Sequence, residues 1–189
     1  MPDNKKMVEI RHFKMSFGDK TVIKDLSFDV FRGEVFGFLG SNGSGKTTTL
    51  RALLGLYQPT AGDLLIDGKP YSVDSQIRLG YLPEERGLYK KEKVLDVMLY
   101  FGQLKGLSRK EAKDFSMKFL ERVNLSDKAN TQLDKLSGGQ QQKIQLGVTI
   151  MGNPELLIMD EPAKGFDPVN RRLLMNIIEE QRKAGATII

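Results

Sequence analysis

The sequence predicts an α/β fold built on a mostly parallel sheet, with an antiparallel β part near the N-terminus and an inserted helical part. Two short apolar runs, at residues 35–39 and 156–159, are typical of strands buried on both faces of a parallel sheet. Glycine-rich or acidic residues follow each run, at the carboxyl edge where open α/β sheets bind their ligands. A long stretch of helical periodicity lies between the two runs.

The chain is expected to form one domain, because it contains no internal repeat and no low-complexity linker. Short strands ahead of the first apolar run should turn at Gly18-Asp19 and at Arg32-Gly33. We predict that residues 1–189 divide into an antiparallel β part at 1–34 and 60–75, an α/β core at 35–85 and 144–189, and a helical insert at 86–143.

The insert should contain at least two helices that pack through apolar faces. Apolar residues recur at helical spacing from Val94 to Phe101 and again from Ala112 to Val123. Ser108 and Glu111 have the spacing of a capping box, which would begin the second helix.

The segment after the first apolar run is a full match to the P-loop pattern. Its glycines allow a tight turn that points successive backbone N–H groups at an anion, and a helix is expected from Gly45 to a C-terminal turn at Gly55. Lys46 should reach the β- and γ-phosphates of a nucleoside triphosphate, and the Thr47 hydroxyl should ligate Mg²⁺. The alternative is a glycine-rich turn with a solvated lysine, which the strand before it and the helix after it disfavour. The predicted phosphate-binding residues are Gly40, Ser41, Asn42, Gly43, Ser44, Gly45, Lys46, Thr47 and Thr48.

The second apolar run ends in an acidic pair, Asp160-Glu161. Asp160 is suited to hold Mg²⁺, directly or through water, and Glu161 is placed to act as the general base that polarises the attacking water. The alternative is a pair of surface acids that end a strand before Pro162. The matching P-loop makes the catalytic interpretation the stronger one.

A third motif begins another helix. Ser137 and Gln140 have capping-box spacing, and Ile144, Val148 and Met151 follow at helical intervals. Serine and glycines at a helix N-terminus can approach a phosphate closely. An ordinary capped helix would have the same local sequence.

These three motifs together resemble those of the ATP-binding-cassette (ABC) ATPases, and the resemblance covers nearly the whole chain. It implies ATP and Mg²⁺ as cofactors. It also implies that two such domains sandwich two ATP molecules head to tail, so that one domain's signature segment faces the γ-phosphate held by the other's P-loop. The signature residues here are Ser137, Gly138, Gly139 and Gln140.

Two further residues take roles from this resemblance. Phe17 corresponds to the aromatic residue that stacks on adenine, although a core aromatic on an N-terminal strand would fit the sequence equally well. Asp167 lies in the loop that communicates between the two ATP sites of the dimer. Asp167 and Pro168 are also expected to begin the next helix, as its N-cap and first helical residue.

Glu84 is a departure from the family pattern, which usually places a glutamine here to sense Mg²⁺ and the attacking water. A carboxylate can still ligate Mg²⁺ or accept a hydrogen bond from water. It also adds negative charge near the γ-phosphate, which should weaken coordination or slow turnover unless Mg²⁺ or a nearby cation offsets it. Glu85 and Arg86 follow, so a local ion pair is possible. We retain Glu84 as a catalytic and metal-binding candidate.

The last residues depart from the pattern as well. Ala184 to Ile189 predict a helix end, a glycine turn and the start of a buried strand. In the family, that strand leads to a histidine that contacts the γ-phosphate, whereas the one histidine here is His12, an expected surface residue. We therefore expect the chain to be part of a longer cassette.

Composition excludes several classes of protein. The chain has no cysteine and thus no disulfide framework, and no apolar run approaches the roughly 20 residues of a membrane-spanning helix. The net charge of +5 is modest, and the basic residues are scattered without interleaved aromatics, which argues against nucleic acid as the main ligand.

The resemblance implies an ATP-hydrolysing subunit of an ABC transporter, located in the cytoplasm at the inner face of the cell membrane and bound to membrane-spanning subunits. The segment Glu84–Tyr89 and the helical insert should dock to those subunits, unless Leu88 and Tyr89 pack beneath the insert. The alternative function is a soluble ABC ATPase acting on ribosomes or DNA. Such relatives usually carry tandem cassettes or long insertions, and this sequence shows neither.

Overall fold

The computed structural model describes residues 5–72, 74–85 and 87–189. The chain divides into two compact units, which we call the first unit (residues 1–77 and 182–189) and the second unit (residues 78–181). Residues 1–4, Val73 and Arg86, which fall within predicted segments, lie outside the described residues. The three-part division predicted from the sequence stays a prediction.

An antiparallel sheet of three strands forms most of the first unit. Strand β1 (Lys6–Phe17) pairs with β2 (Lys20–Phe31) across the predicted turn at Gly18-Asp19, and its other edge pairs with β3 (Ala61–Ile66), which gives the order β2-β1-β3. Alternate residues of β1, such as Val8 and Ile10, are fully buried, as expected for a strand with one face on a core. The predicted antiparallel part is confirmed.

The P-loop helix, α1 (Lys46–Leu53), ends as the sequence predicts. Gly55 has φ of 70°, in the left-handed region, and its N–H donates to the Ala52 carbonyl at 2.9 Å. The Leu56 N–H donates to the Arg51 carbonyl, also at 2.9 Å. These two bonds are those of a Schellman C-cap, which satisfies the last carbonyls of a helix.

The segment at 35–39 differs from the prediction. Val35 pairs in parallel with Ile188 of the last strand, β6 (Thr187–Ile188), and the Phe36 N–H donates to the Ile188 carbonyl at 2.8 Å. Pairing stops there, and Val35 and Leu39 are 46% and 90% exposed. The prediction of a strand buried on both faces is therefore wrong here, because in the described residues the backbone pairing of this segment with β6 extends only from Glu34 to Phe36.

In the second unit, β4 (Leu79–Leu82) pairs in parallel with β5 (Leu156–Met159). Every residue of β5 is buried, so the second apolar run is the doubly covered strand that the sequence predicts. Parallel pairing brings the carboxyl ends of the two strands to one edge. The residues that follow them, 83–85 and 160–164, therefore leave the sheet on the same side.

Helices complete the fold. They are α2 (Val94–Leu104), α3 (Arg109–Arg122), α4 (Gly138–Ile150) and α5 (Pro168–Lys183), with 3₁₀ turns at Ser126–Lys128 and Leu133–Lys135. The Ser108–Glu111 capping box is present at the start of α3. In residues 5–72, 74–85 and 87–189, no helix is long and apolar enough to cross a membrane.

Close helix packing in the second unit depends on two glycines. A Cβ at Gly102 of α2 would lie 2.6 Å from the Ala112 Cβ on α3, and a Cβ at Gly147 of α4 would lie 2.4 Å from the Phe119 ring. Both separations are far below van der Waals contact. The insert helices and α4 can approach this closely only because these positions lack side chains.

Candidate nucleotide-binding and catalytic site

The P-loop forms an exposed turn ahead of α1. Gly43 and Gly45 have φ of 79° and 94°, values that other residues rarely adopt, and the Ser44 N–H donates to the Ser41 carbonyl at 3.1 Å. Gly45 is the N-cap of α1 and has no side chain to accept from the first N–H groups of the helix. Those donors, together with the positive end of the helix dipole, are suited to bind an anion.

Lys46 lies across this loop. Its Nζ donates to the Gly40 carbonyl at 2.8 Å and to the Ser41 carbonyl at 3.2 Å, so the ammonium group is held on the concave side of the turn. A Cβ at Gly40 would lie 2.6 Å from the Ser44 Oγ, so a side chain there would require the Ser44 hydroxyl to move. The contacts of this loop and of Lys46 with phosphates stay a prediction.

Phe17 lies at the end of β1 and is 47% exposed. Its ring meets Tyr57 edge to face, with the ring centroids 5.4 Å apart. The prediction that Phe17 could be a core aromatic is wrong, because a core ring would be covered. Its proposed contact with adenine stays a prediction.

Asp160 follows β5 and is 3% exposed. Its backbone N–H donates to the Leu82 carbonyl at 2.8 Å, which extends the β4–β5 pairing by one residue. Its Oδ2 is buried and has no hydrogen-bond partner in the described part of the chain. A buried carboxylate oxygen without a partner is costly, and a bound cation would remove that cost.

The Asp160 carboxylate fits Mg²⁺ that is bound together with a nucleotide. Among the described residues, no cluster of three or more His, Cys, Asp or Glu could hold a metal ion by itself. Mg²⁺ commonly uses one or two carboxylates and completes its shell with water and phosphate oxygens. A single buried aspartate is consistent with that pattern.

Glu161 has an unusual backbone. Its φ is 49°, in the left-handed region, which costs a non-glycine residue about 1–3 kcal/mol. The turn is closed by the Lys164 N–H, which donates to the Glu161 carbonyl at 3.0 Å, and by the Gln142 Nε2, which donates to the Pro162 carbonyl at 3.0 Å. The surrounding structure thus holds the backbone of Glu161 in this turn at the edge of the sheet.

Glu84 and Glu161 both lie beside Lys164, a residue outside the motifs predicted from the sequence. The Lys164 ammonium forms an ion pair with Glu84, and its Nζ lies 3.7 Å from the Glu161 Oε2. Glu84 first, and then Glu161, raise the pKa of Lys164 above its usual range. Lys164 is therefore a cation beside Glu84 that the sequence did not predict, and Arg86, which could form the local ion pair, lies outside the described residues.

The signature segment has the predicted capping box. The Ser137 Oγ accepts from the Gln140 N–H at 3.3 Å, and the Gln140 Oε1 accepts from the Ser137 N–H at 2.9 Å. A Cβ at Gly139 would meet nothing within 4 Å, so the space over the first turn of α4 is open. The Gln141 Nε2 donates to the Leu133 and Leu136 carbonyls at 3.0 and 2.9 Å, which fixes the chain leading into the helix.

The other end of α4 is held by a lysine. The Lys105 Nζ donates to the carbonyls of Val148 and Thr149, both at 2.7 Å, and of Met151 at 3.1 Å. A cation at a helix C-terminus is favourable, because the last carbonyls have no partner within the helix. Burial nevertheless lowers the pKa of Lys105 to about 8.

Asp167 caps α5 as predicted. Its Oδ1 accepts from the Asn170 N–H and its Oδ2 from the Asn170 Nδ2, both at 2.8 Å, and Pro168 is the first helical residue. Its role between the two ATP sites of a dimer stays a prediction. His12 is a surface residue, as predicted, with its side chain 81% exposed and its Nδ1 3.3 Å from Asp25.

Comparison with known proteins agrees with these motifs. The family model described as ABC transporter matches residues 23–164. An ABC transporter ATP-binding protein of Methanocaldococcus jannaschii is 43% identical over 185 residues, and the match covers 98% of this chain and 67% of that protein. The ABC transporter ATP-binding protein YhaQ of Bacillus subtilis is also 43% identical, with 97% of this chain and 61% of that protein covered.

The solved structure titled "Structure of ATP binding subunit of ABC transporter" has the same fold. It superposes with a TM-score of 0.86 at 28% identity, over 96% of this chain and 77% of that one. The chain therefore belongs to the ABC transporter family, and it aligns with the ATP-binding proteins of that family. It spans about two thirds or less of the length of these sequence relatives.

Proposed function

We propose that the protein containing this chain is the ATP-binding and ATP-hydrolysing subunit of an ABC transporter, and that it drives transport by ATP-dependent closure of a head-to-tail dimer. The observation that carries this proposal is the Asp160-Glu161 step. A buried strand ends in a carboxylate with a partnerless buried oxygen, and a second carboxylate follows it in a strained turn. This arrangement combines a cation ligand with a general base.

Nucleotide binding is assigned to the first unit. The P-loop N–H groups and the Lys46 ammonium would contact the β- and γ-phosphates, and Phe17 would stack on the adenine ring. Thr47 and Asp160 are the residues that would hold Mg²⁺, with Glu84 as a further candidate. When bound, Mg²⁺ neutralises charge on the phosphates and so assists phosphoryl transfer.

Hydrolysis is assigned to Glu161. Its carboxylate would accept the proton of the water that attacks the γ-phosphate, as a general base within hydrogen-bond reach. The strained backbone at this residue supports the assignment, because strain persists where the surrounding structure enforces a functional geometry. Lys46 would offset charge that develops on the transferred phosphoryl group.

The dimer would complete each site. Ser137, Gly138, Gly139 and Gln140 form an open, capped helix start that can receive the γ-phosphate bound by a partner's P-loop. Asp167, which caps α5, would lie in the loop that relates the two sites. We therefore expect a second ATPase domain as an obligatory partner for turnover.

Membrane-spanning subunits are the other partners, and we propose that they hold the protein at the cytoplasmic face of the cell membrane. Tyr89 supports this proposal, because it is 53% exposed, meets Tyr100 edge to face and stacks on Phe101, both on α2. The three rings form an apolar patch on the insert that suits a protein contact. The docking surface would include this patch and the segment Glu84–Tyr89.

Steady-state ATPase activity of the complete protein with its partners tests the proposal. The parent should hydrolyse ATP in the presence of Mg²⁺, and Glu161→Gln should reduce kcat by a factor on the order of 100 or more, because an amide cannot accept the proton. Glu155→Gln is a matched control, since Glu155 lies just before β5, at its other end, beside Arg78. Hydrolysis by Glu161→Gln at the parent rate would overturn the assignment of the base.

A further inference from the structure

We propose that Lys164 is a positioning residue for hydrolysis: its ammonium balances the charge of Glu84 and orients the Glu161 carboxylate. The inference rests on the proposed function, and it adds a cation that the sequence motifs do not include. Its basis is a three-residue charge cluster at the edge of the sheet, formed by Glu84, Glu161 and Lys164.

The backbone on both sides of the cluster is fixed by one helix. From α4, the Gln145 Nε2 donates to the Glu85 carbonyl at 3.1 Å, and the Gln142 Nε2 donates to the Pro162 carbonyl at 3.0 Å. Gln145 is only 5% exposed, so its amide is held firmly by its surroundings. The loop after β4 and the loop after β5 are therefore anchored to the same element, one turn apart.

Lys164, in the loop after β5, forms an ion pair with Glu84, in the loop after β4. It pairs with Glu84, which is 80 residues away in sequence, and its Nζ approaches the Glu161 Oε2 at 3.7 Å. Its backbone N–H also closes the turn at Glu161, at 3.0 Å. Lys164 thus fixes the backbone of Glu161, the proposed base. Among the ion pairs of the described residues, it also supplies the cation nearest the Glu161 carboxylate.

Charge explains why such a cation is needed. Two carboxylates at one edge repel each other, and both repel the negative charge of a transferring phosphoryl group. The ammonium group of Lys164 offsets the charge of Glu84, with which it forms the shorter ion pair. Glu161 lies farther from the ammonium group, so its carboxylate can still accept a proton. Loss of Lys164 would remove this offset and leave more negative charge beside the transferring phosphoryl group.

A double-mutant cycle tests this role. Lys164→Ser should lower kcat about 10-fold and change KM for ATP less than about 2-fold, because the cation acts on the base and not on nucleotide binding. Glu84→Gln alone should lower kcat about 3-fold, since Lys164 would then pair more closely with Glu161. The double variant Lys164→Ser/Glu84→Gln should recover to within about 3-fold of the parent, well above the roughly 30-fold loss that additivity predicts.

Two controls separate charge from structure. Lys164→Arg keeps the cation and should retain most of the parent kcat, and Lys118→Ser removes an exposed lysine from α3 and should change nothing. Parent kcat in Lys164→Ser, or simple additivity in the double variant, would overturn the inference alone. A parent protein that binds ATP without hydrolysing it would overturn the proposed hydrolysis, and the inference with it.

Discussion

At the residue scale, the chemistry depends on a few side chains whose surroundings remove their freedom. Asp160 is buried with a partnerless oxygen, Glu161 is held with φ of 49°, and Lys46 is folded over its own loop. The arrangements of Asp160 and Glu161 are costly without a ligand or a reaction to use them. These two residues of the second unit are therefore held in place by the fold itself.

Lys46→Ala should weaken ATP binding by at least about 100-fold, because it removes the charge that contacts the β- and γ-phosphates. A titration with a fluorescent ATP analogue would measure the dissociation constant. Lys20→Ala, at an exposed position on β2 of the same unit, should bind as the parent does. Equal affinities for Lys46→Ala and the parent would rule out the phosphate contact.

At the element scale, α4 organises the second unit. Its first turn is the signature segment, its glutamines bind the loops after β4 and β5, and its last carbonyls are held by Lys105. A shift of α4 would therefore move the signature segment and both acidic loops together. Under the proposed function, this helix would be a route by which contact with a partner's nucleotide influences Glu161.

Ser137→Arg should leave ATP binding by the monomer nearly unchanged and prevent ATP-dependent dimerisation, because an arginine would fill the open space that a partner's γ-phosphate enters. Ser108→Arg is a matched control, since Ser108 begins α3 with the same capping box. Both variants lose a cap that contributes about 1 kcal/mol of stability. Light scattering with ATP should show a dimer for Ser108→Arg and none for Ser137→Arg. Equal behaviour of the two variants would favour a purely structural role for Ser137.

Lys105 should give the free energy of unfolding a distinct pH dependence. Its pKa is 10.5 in the unfolded chain and about 8 in the fold, so between these values the unfolded chain binds more protons. The free energy of unfolding should therefore rise with pH across that window, by up to about 3 kcal/mol. This figure is an upper limit, because the three carbonyl acceptors favour the charged form of Lys105.

Lys105→Met removes the titrating group, so its stability should rise less than that of the parent between pH 8 and 10.5. Urea unfolding at a series of pH values would measure the difference. Lys110→Met, at an exposed position on α3, should keep the parent slope. Identical slopes for Lys105→Met and the parent would contradict the lowered pKa.

Prediction from the sequence succeeded where local chemistry determines the structure. The capping boxes at Ser108 and Ser137, the cap at Asp167 and the C-terminal turn at Gly55 involve residues within a few positions of one another. Segment 35–39 was mispredicted because strand pairing depends on residues far along the chain, which the local apolar pattern does not identify. The Lys164–Glu84 pair was missed for the same reason, since it joins two loops that only the parallel pairing of β4 and β5 brings to one edge.

At the scale of the whole molecule, the proposed function requires each ATP site to combine the P-loop of one copy with the signature segment of another. The P-loop lies in the first unit, and the signature segment begins a helix in the second. The family match, at residues 23–164, includes both the P-loop and the signature segment. The fold superposes on an ATP-binding subunit of an ABC transporter. Turnover should therefore require assembly.

Docking to membrane-spanning subunits should involve the aromatic patch on the insert. A cysteine placed at Tyr89 should crosslink to the cytoplasmic loops of the membrane partner, because the ring is exposed beside Tyr100. A cysteine at Met175, exposed on α5, is the control and should not react with the same loops. Crosslinking at Met175 in place of Tyr89 would locate the docking surface elsewhere.

If ATP closes two copies of the domain around composite sites, the mass of Glu161→Gln in solution should change when ATP is added. This variant should bind ATP without hydrolysing it, so size-exclusion chromatography with light scattering should show a dimer with ATP and Mg²⁺ and a monomer without nucleotide. Glu155→Gln should show no such trapped dimer. A Glu161→Gln protein that is saturated with ATP and remains monomeric would contradict the account.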